Sequence, residues 1–294
     1  MDTRLLKQFL TLSDTLHFGK ASDLCHLSPS ALSRSIKQLE ETLGVSLFNR
    51  DNRHVELTAE GRIFQDYARD TLSQWDSLRN TLLCEAQELQ GEISVYCSVT
   101  ASYSFLYDLL RQFRSHHPKI GIKLHTGDPA AAVSQVLKGE EDLAIAARPD
   151  TLPPGLAFRS IGLSPLVFIA PVDDPLITPL LEPELDQADW SQVPMILSER
   201  GLARERLDAW FRQKAIKPNI YAQVSGNEAI VSMVSLGLGV GVVPRIVLDN
   251  SPLANRVKML TVTPHLAAYD VGVCVLERKL RSPLIQAFWS QIQT

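Results

Sequence analysis

The sequence predicts a helical head carrying one short hairpin, then a long connecting helix, then an α/β body of two lobes. Three observations predict it. Apolar residues recur at three- and four-residue spacing through the head, a stripe near a 3.5-residue repeat follows Thr58, and β-α-β alternation begins after Gly91 and starts again after Pro165.

In the head, Leu5, Phe9, Leu12 and Leu16 make the stripe of a first helix, and Ala21, Leu24 and Cys25 belong to a short second one. Gly19 stands where a hydroxyl or carboxylate cap is expected, so that second start reads as weakly capped. Ser28 caps a third helix with Pro29 at its first position, Leu32, Ile36, Leu39 and Leu43 form its buried side, and Gly44 closes it. Ser30, Ala31, Ser33, Arg34 and Lys37 are left pointing outward: small side chains and two bases. Such a face can approach a surface closely, and Arg34 can donate twice to a guanine edge or a phosphate. The same face could also be only solvated. Leu47–Leu57 reads as two short strands about a tight turn, with Arg50 and Arg53 flanking it.

Thr58 is the expected cap of a helix reaching about Leu89. Phe64, Ala68, Thr71, Trp75, Leu78 and Leu82 give it a seam too long for so small a head to cover, which calls for a partner helix. Beyond Gly91, strands are expected at 93–97, 120–125 and 143–146, with helices at 103–115 and 130–138. After Pro165 come strands at 166–170, 195–197, 220–224 and 240–243, and helices at 204–214 and 228–236. A last strand at 270–276 and a helix at 283–291 could complete either lobe.

With 294 residues, 45% apolar and 21% charged, the chain has ordinary folding composition, which excludes disordered and collagen-like classes. Its aliphatic runs are too short for a bilayer, and its first residues lack a secretory apolar region. Cys25, Cys84, Cys97 and Cys274 have neither a C-x-x-C pair nor metal-ligand spacing, so a cytoplasmic protein without a bound metal or membrane contact is expected. The net charge of −4 does not mark a nucleic-acid binder, and residues 1–58 balance seven Lys and Arg against seven Asp and Glu. Any affinity for DNA must therefore come from local charge, such as the face of the third helix.

The run from Phe18 to Glu40, with Leu43-Gly44, Leu47–Arg50 and Leu57–Gly61, resembles the winged helix-turn-helix of the LysR-type transcriptional regulators. Gly19 and Ser22 depart from the common pattern. Gly139–Ile145 and Gly237–Pro244 resemble landmarks of that family's effector domain. More narrowly, Cys97–Tyr103, Thr126–Asp128 and Val231–Val234 resemble the branch that activates the acetohydroxy acid isomeroreductase gene of isoleucine–valine biosynthesis.

The resemblance implies a winged helix-turn-helix domain at 1–58, a linker and dimerisation helix at 59–90, and an effector domain at 91–294. The last is an α/β, periplasmic-binding-protein-like (type 2) unit, with one lobe from about 91–163 and 265–294 and another from 164–264. DNA contact is implied for Phe18, Ala21, Ser28, Pro29, Ser30, Ala31, Ser33, Arg34, Lys37, Arg50 and Arg53. Dimerisation is implied through Phe64, Ala68, Thr71, Trp75, Leu78 and Leu82. Expected partners are double-stranded promoter DNA, RNA polymerase and further copies of the chain in a dimer or tetramer. The expected ligand is an inducer, acetolactate or acetohydroxybutyrate, with no other cofactor.

Ser98, Thr100 and Ser102 stand where a strand gives way to a helix, and ordinary capping is one reading of them. The other is that their hydroxyls and the nearby N–H groups receive a small hydroxy-keto acid. Ala101, Thr126, Gly127 and Gly226 join that candidate pocket by position, and the junction Ser198–Gly201 would face it, with Arg200 or Arg204 either neutralising a carboxylate or facing solvent.

Gly237-x-Gly239-x-Gly241 is not a dinucleotide loop, because there a helix precedes the glycines and a strand follows. No hydrolase, zinc-protease or P-loop motif is present, and the histidines form no ligand set. The leading expectation is a ligand-responsive DNA-binding activator. A family member sensing another small carboxylate is the alternative, and a solute-binding protein or enzyme with a helical head is a third class.

Overall fold

The computed structural model describes residues 2–50, 55–84, 89–181 and 188–292. The chain divides into two compact units, residues 1–87 and 88–294.

The first unit contains α1 (Thr3–Thr15), α2 (Phe18–Leu24), α3 (Pro29–Leu43), β1 (Phe48–Arg50), β2 (Val55–Leu57) and α4 (Ala59–Cys84). Its caps are chemical. Asp2 accepts from the Arg4 N–H at 2.9 Å, and Ser28 accepts from the Ala31 N–H at 3.2 Å. The second helix corrects the expectation about Gly19: its cap is His17, whose Nδ1 accepts from the Lys20 N–H at 3.1 Å, and Gly19 lies inside the helix.

Leu6, Phe9 and Leu12 meet Leu32, Ile36 and Leu39 in one core, together with Leu47, Phe48, Phe64 and Ala68. The Phe9 ring lies 5.3 Å from Phe48 and 4.8 Å from Phe64, the latter edge-on, a favoured aromatic geometry. Leu43, expected inside, is exposed at the end of α3, where Gly44 turns the chain away with φ +72°. Glu40 ties α3 to the hairpin by accepting from the Leu47 and Phe48 N–H groups at 2.9 and 3.1 Å. In the hairpin, Phe48 faces Leu57 and Arg50 faces Val55 across an antiparallel pair. Gly61 lets α4 start against this hairpin, because a Cβ there would run into the Leu47 carbonyl oxygen.

The second unit runs β3 (Gly91–Cys97), α5 (Val99–Tyr103), α6 (Phe105–His116), β4 (Ile120–Thr126), α7 (Ala132–Leu137), β5 (Leu143–Ala147) and β6 (Leu156–Ser164). It continues with β7 (Leu166–Pro171), α8 (Thr178–Leu181), β8 (Pro194–Ser198), α9 (Leu202–Gln213), β9 (Asn219–Val224), α10 (Asn227–Ser235), β10 (Val240–Pro244), α11 (Arg245–Asp249) and β11 (Val257–Leu260). β12 (Tyr269–Leu276) and α12 (Pro283–Ser290) end it. Two five-stranded sheets result, in the orders β4-β3-β5-β12-β6 and β11-β7-β10-β8-β9.

Both sheets are mixed. β3 runs parallel to β4 and β5, while β12 enters antiparallel between β5 and β6; in the other lobe β7 runs antiparallel to β10 and β11. The last strand and helix therefore complete the first lobe, where Phe288, Ile285 and Trp289 pack on the sheet. The helix expected at 103–115 is α6, and a short helix that was not expected, α5, precedes it; the backbone turns out of helical geometry between them at Ser104. The landmark Gly139–Ile145 has a structural job: Asp142 accepts from the Ser94 N–H at 2.9 Å and from Lys279 Nζ at 2.9 Å, fixing β5 beside β3.

Candidate functional site

The first site is the outward face of α3. Ser28, Pro29, Ser30, Arg34 and Lys37 are exposed, and Ala31 and Ser33 are half-buried beside them. Arg34 lies back along its own helix, with Nε donating to the Ser30 carbonyl at 3.3 Å, and among the described residues it forms no ion pair. Lys37 meets Glu41 at 3.8 Å, but both are so exposed that the pair adds little. A helix presenting two small hydroxyls and a guanidinium at its first turns fits a major groove, where Arg reads guanine by two hydrogen bonds.

Two of the residues for which DNA contact is expected lie in α2, not on this face. Ala21 is fully buried and Phe18 is half-buried against the core, so Ala21 serves packing and cannot touch DNA. Arg50 pairs through its backbone in the hairpin, while Arg53 falls outside the described residues.

The long helix α4 carries two stripes. Phe64 and Ala68 are buried in the head core with Leu72 beside them, so they are not free for a second helix. The exposed apolar side runs one position earlier: Ile63, Tyr67, Trp75 and Leu78 are exposed, with half-buried Thr71 between them. Spacing alone mixed the two stripes, since neighbours at i and i+1 both fit a loose repeat. The Leu82 side chain lies outside the described ones.

The second site is a cavity of about 430 Å³ between the two lobes of the second unit. Ser98, Thr100 and Ala101 reach it from the β3–α5 junction, Ser198 and Arg200 from the β8–α9 junction, and Gly226 from the turn before α10. These are crossover ends of parallel strands, where α/β proteins leave crevices. Ser102, Thr126 and Gly127 are not among the lining residues. The Ser102 hydroxyl donates to the Val99 carbonyl at 2.6 Å, and Gly127 lies against the Tyr96 hydroxyl, which a Cβ there would meet. Ser98 caps α5, accepting from the Ala101 N–H at 3.2 Å.

Thr100 is only 2% exposed, and both of its donors converge on one carboxylate oxygen. Its hydroxyl donates to Glu228 Oε1 at 2.6 Å and its N–H donates to the same atom at 3.0 Å. Glu228 stands in the first turn of α10, so this contact joins the lobes. A second junction is Arg200 on Asp128, with Nε at 3.1 Å and Nη2 at 3.0 Å from Oδ2. Arg204 turns away from the cavity, held by Asp208 at 2.9 Å and by the Ser198 carbonyl at 3.1 Å.

Asp128, Asp150, Glu199 and Glu205 also line the cavity, so carboxylates outnumber cations there. Burial holds the phenol of Tyr269, another lining residue, well above its ordinary range, so it stays a neutral hydroxyl. Sequence reading missed Glu228, Asp128 and Tyr269. Glu228 had one visible signal, an acid two residues past Gly226 at a helix start; Asp128 and Tyr269 join the site only through tertiary contacts.

Both units resemble known proteins. The family profile described as bacterial regulatory helix-turn-helix protein, lysR family, matches residues 3–62, and the one described as LysR substrate binding domain matches residues 86–294. The HTH-type transcriptional activator IlvY of Salmonella typhimurium is 46% identical over 293 residues, covering 98% of each chain. The HTH-type transcriptional regulator IlvY of Escherichia coli is likewise 46% identical over 293 residues and 98% of each chain. Among solved structures, full-length OxyR from Pseudomonas aeruginosa aligns with a TM-score of 0.71 at 22% identity, covering 99% of this chain and 94% of that one, a likeness of fold.

Proposed function

The chain belongs to the LysR family of bacterial transcriptional regulators, and from that membership we propose that it activates the acetohydroxy acid isomeroreductase gene in response to acetolactate or acetohydroxybutyrate. One observation carries this reading: the match to the IlvY activator spans 98% of both chains at 46% identity, so head and ligand-binding body are related together.

The chemistry of each part agrees. The α3 face supplies small hydroxyls and Arg34 for the groove of promoter DNA, with Ser30 and Ala31 able to come close to base edges. Along α4, Ile63, Tyr67, Trp75 and Leu78 offer an apolar stripe to the same helix of a second copy, the natural way to bury it in a dimer that can pair further into a tetramer. In the body, Thr100 already binds a carboxylate through its hydroxyl and N–H, and Ser98, Ser198 and the Tyr269 hydroxyl lie near to meet the hydroxyl and ketone of an acetohydroxy acid.

The inducer acts by favouring one assembly over another, which relaxes the bend in promoter DNA and lets RNA polymerase engage in the cytoplasm. The protein works as a switch and not as an enzyme. The test is transcription from the isomeroreductase promoter with purified protein, with and without acetolactate. Stimulation by acetolactate is expected; stimulation by an unrelated acid, with none by acetolactate, overturns the inducer assignment and keeps the regulator.

A further inference from the structure

Among the described residues, no cation pairs with the Glu228 carboxylate. In the first turn of α10 it sits where the helix's own N–H groups favour negative charge, which is ordinary. What is not ordinary is its reach into the other lobe. Oε1 takes both the hydroxyl of Thr100, at 2.6 Å, and its N–H, at 3.0 Å. The hydroxyl bond is short, and both bonds are made by Thr100, a residue almost wholly shielded from water. Among the described residues, Glu228 forms no ion pair. Arg200, the cation of the neighbouring junction, is engaged with Asp128, and Glu199, Glu205 and Asp150 add negative charge to the walls.

We propose that Glu228 is the resident occupant of the cleft's carboxylate subsite, a specificity-determining residue that holds Thr100 until the carboxylate of a small acid replaces it. This rests on the cleft being the inducer site. Two anions cannot share the Thr100 donors, since like charges at hydrogen-bond range exclude one another. Binding is then an exchange. The bonds to Thr100 are the same in number before and after, so the net affinity comes from what else the acid carries. Acetate brings nothing more and is rejected; a hydroxy-keto acid brings two further oxygens for the surrounding hydroxyls. Because Glu228 belongs to the second lobe and Thr100 to the first, the exchange also unties the lobes, which gives the ligand the differential affinity for two arrangements that a switch needs.

The test is isothermal titration calorimetry of the full-length protein with acetolactate and with acetate, on wild type, Glu228→Ala and Glu228→Gln. Removing the competitor is expected to tighten both ligands about tenfold in Glu228→Ala. Glu228→Gln, which keeps the shape and loses the charge, falls between and serves if the alanine variant folds poorly. No gain for either ligand in either variant overturns the proposal. If acetolactate binds wild type and neither variant gains, the Glu228 role falls while the inducer assignment stands. If acetolactate binds no form but acetate gains in the variants, the inducer assignment falls while the Glu228 role stands.

Discussion

The guanidinium of Arg200 rests on a single oxygen of Asp128 in the opposite lobe, while the other oxygen of Asp128 caps the turn at Ala130, accepting from its N–H at 2.9 Å. Asp128 is thus fixed by its own loop before it meets Arg200. The Arg200 side chain is 68% exposed, so water screens the pair. Arg200→Ala is expected to cost less than about 1 kcal/mol, seen as a melting shift of no more than about 4 °C. A larger fall would show that this bond, and not packing, holds the lobes together.

Arg34 is expected to carry operator recognition. Arg34→Ala should weaken operator binding by about 1–3 kcal/mol, roughly ten- to a hundredfold, in a gel-shift titration at fixed salt. Sedimentation should show the same assembly, because α3 lies off the exposed stripe of α4. Unchanged affinity would remove α3 as the reading helix.

Gly61 is a packing constraint. A methyl group at this position meets the Leu47 carbonyl, a backbone atom of the hairpin that cannot swing aside. Gly61→Ala is expected to destabilise the head by about 1–3 kcal/mol, the usual range for overpacking, in denaturant unfolding. Stability equal to wild type would mean that α4 can slide on the hairpin.

Burial pushes the thiols of Cys97 and Cys274 up from about 9 to about 11 and about 12. Each is an acid whose folded value lies above its unfolded one. The stability it contributes is therefore complete below pH 9 and is lost as pH rises through 9 toward 11 and 12. Unfolding free energy measured against pH should fall in that window, and the fall should be shallower in a Cys97→Ala, Cys274→Ala double variant. Equal slopes would mean that other groups govern the alkaline limb.

The head was legible in the sequence because its structure is local. Ser28, Pro29 and Gly44 mark the ends of α3 by their own backbone chemistry, and Leu32, Ile36 and Leu39 mark its inner side by spacing. Where a second element decides, the sequence was mute. His17 caps α2 through a ring nitrogen that composition does not advertise, and Phe64 and Ala68 turn inward because α1 covers them. In the body, the half-buried strand β6 and the short β11 lack strong alternation, and only sheet pairing defines them. The cleft was half legible. Ser98, Thr100 and Arg200 could be read from strand ends, but nothing near Thr100 in the chain announces Glu228, 128 residues away.

The placement of β12 has a consequence for how the molecule is made. The strands of the second lobe, β7 through β11, form one unbroken stretch, whereas the first lobe keeps a vacancy between β5 and β6 that only β12 fills. On the ribosome, the later lobe can reach its final form while the earlier one still waits, its central hydrogen-bond rows bare until residues 269–276 emerge. Chaperones should therefore hold nascent chains by the first lobe, and a stall after the second should leave that waiting sheet as the part most prone to aggregate.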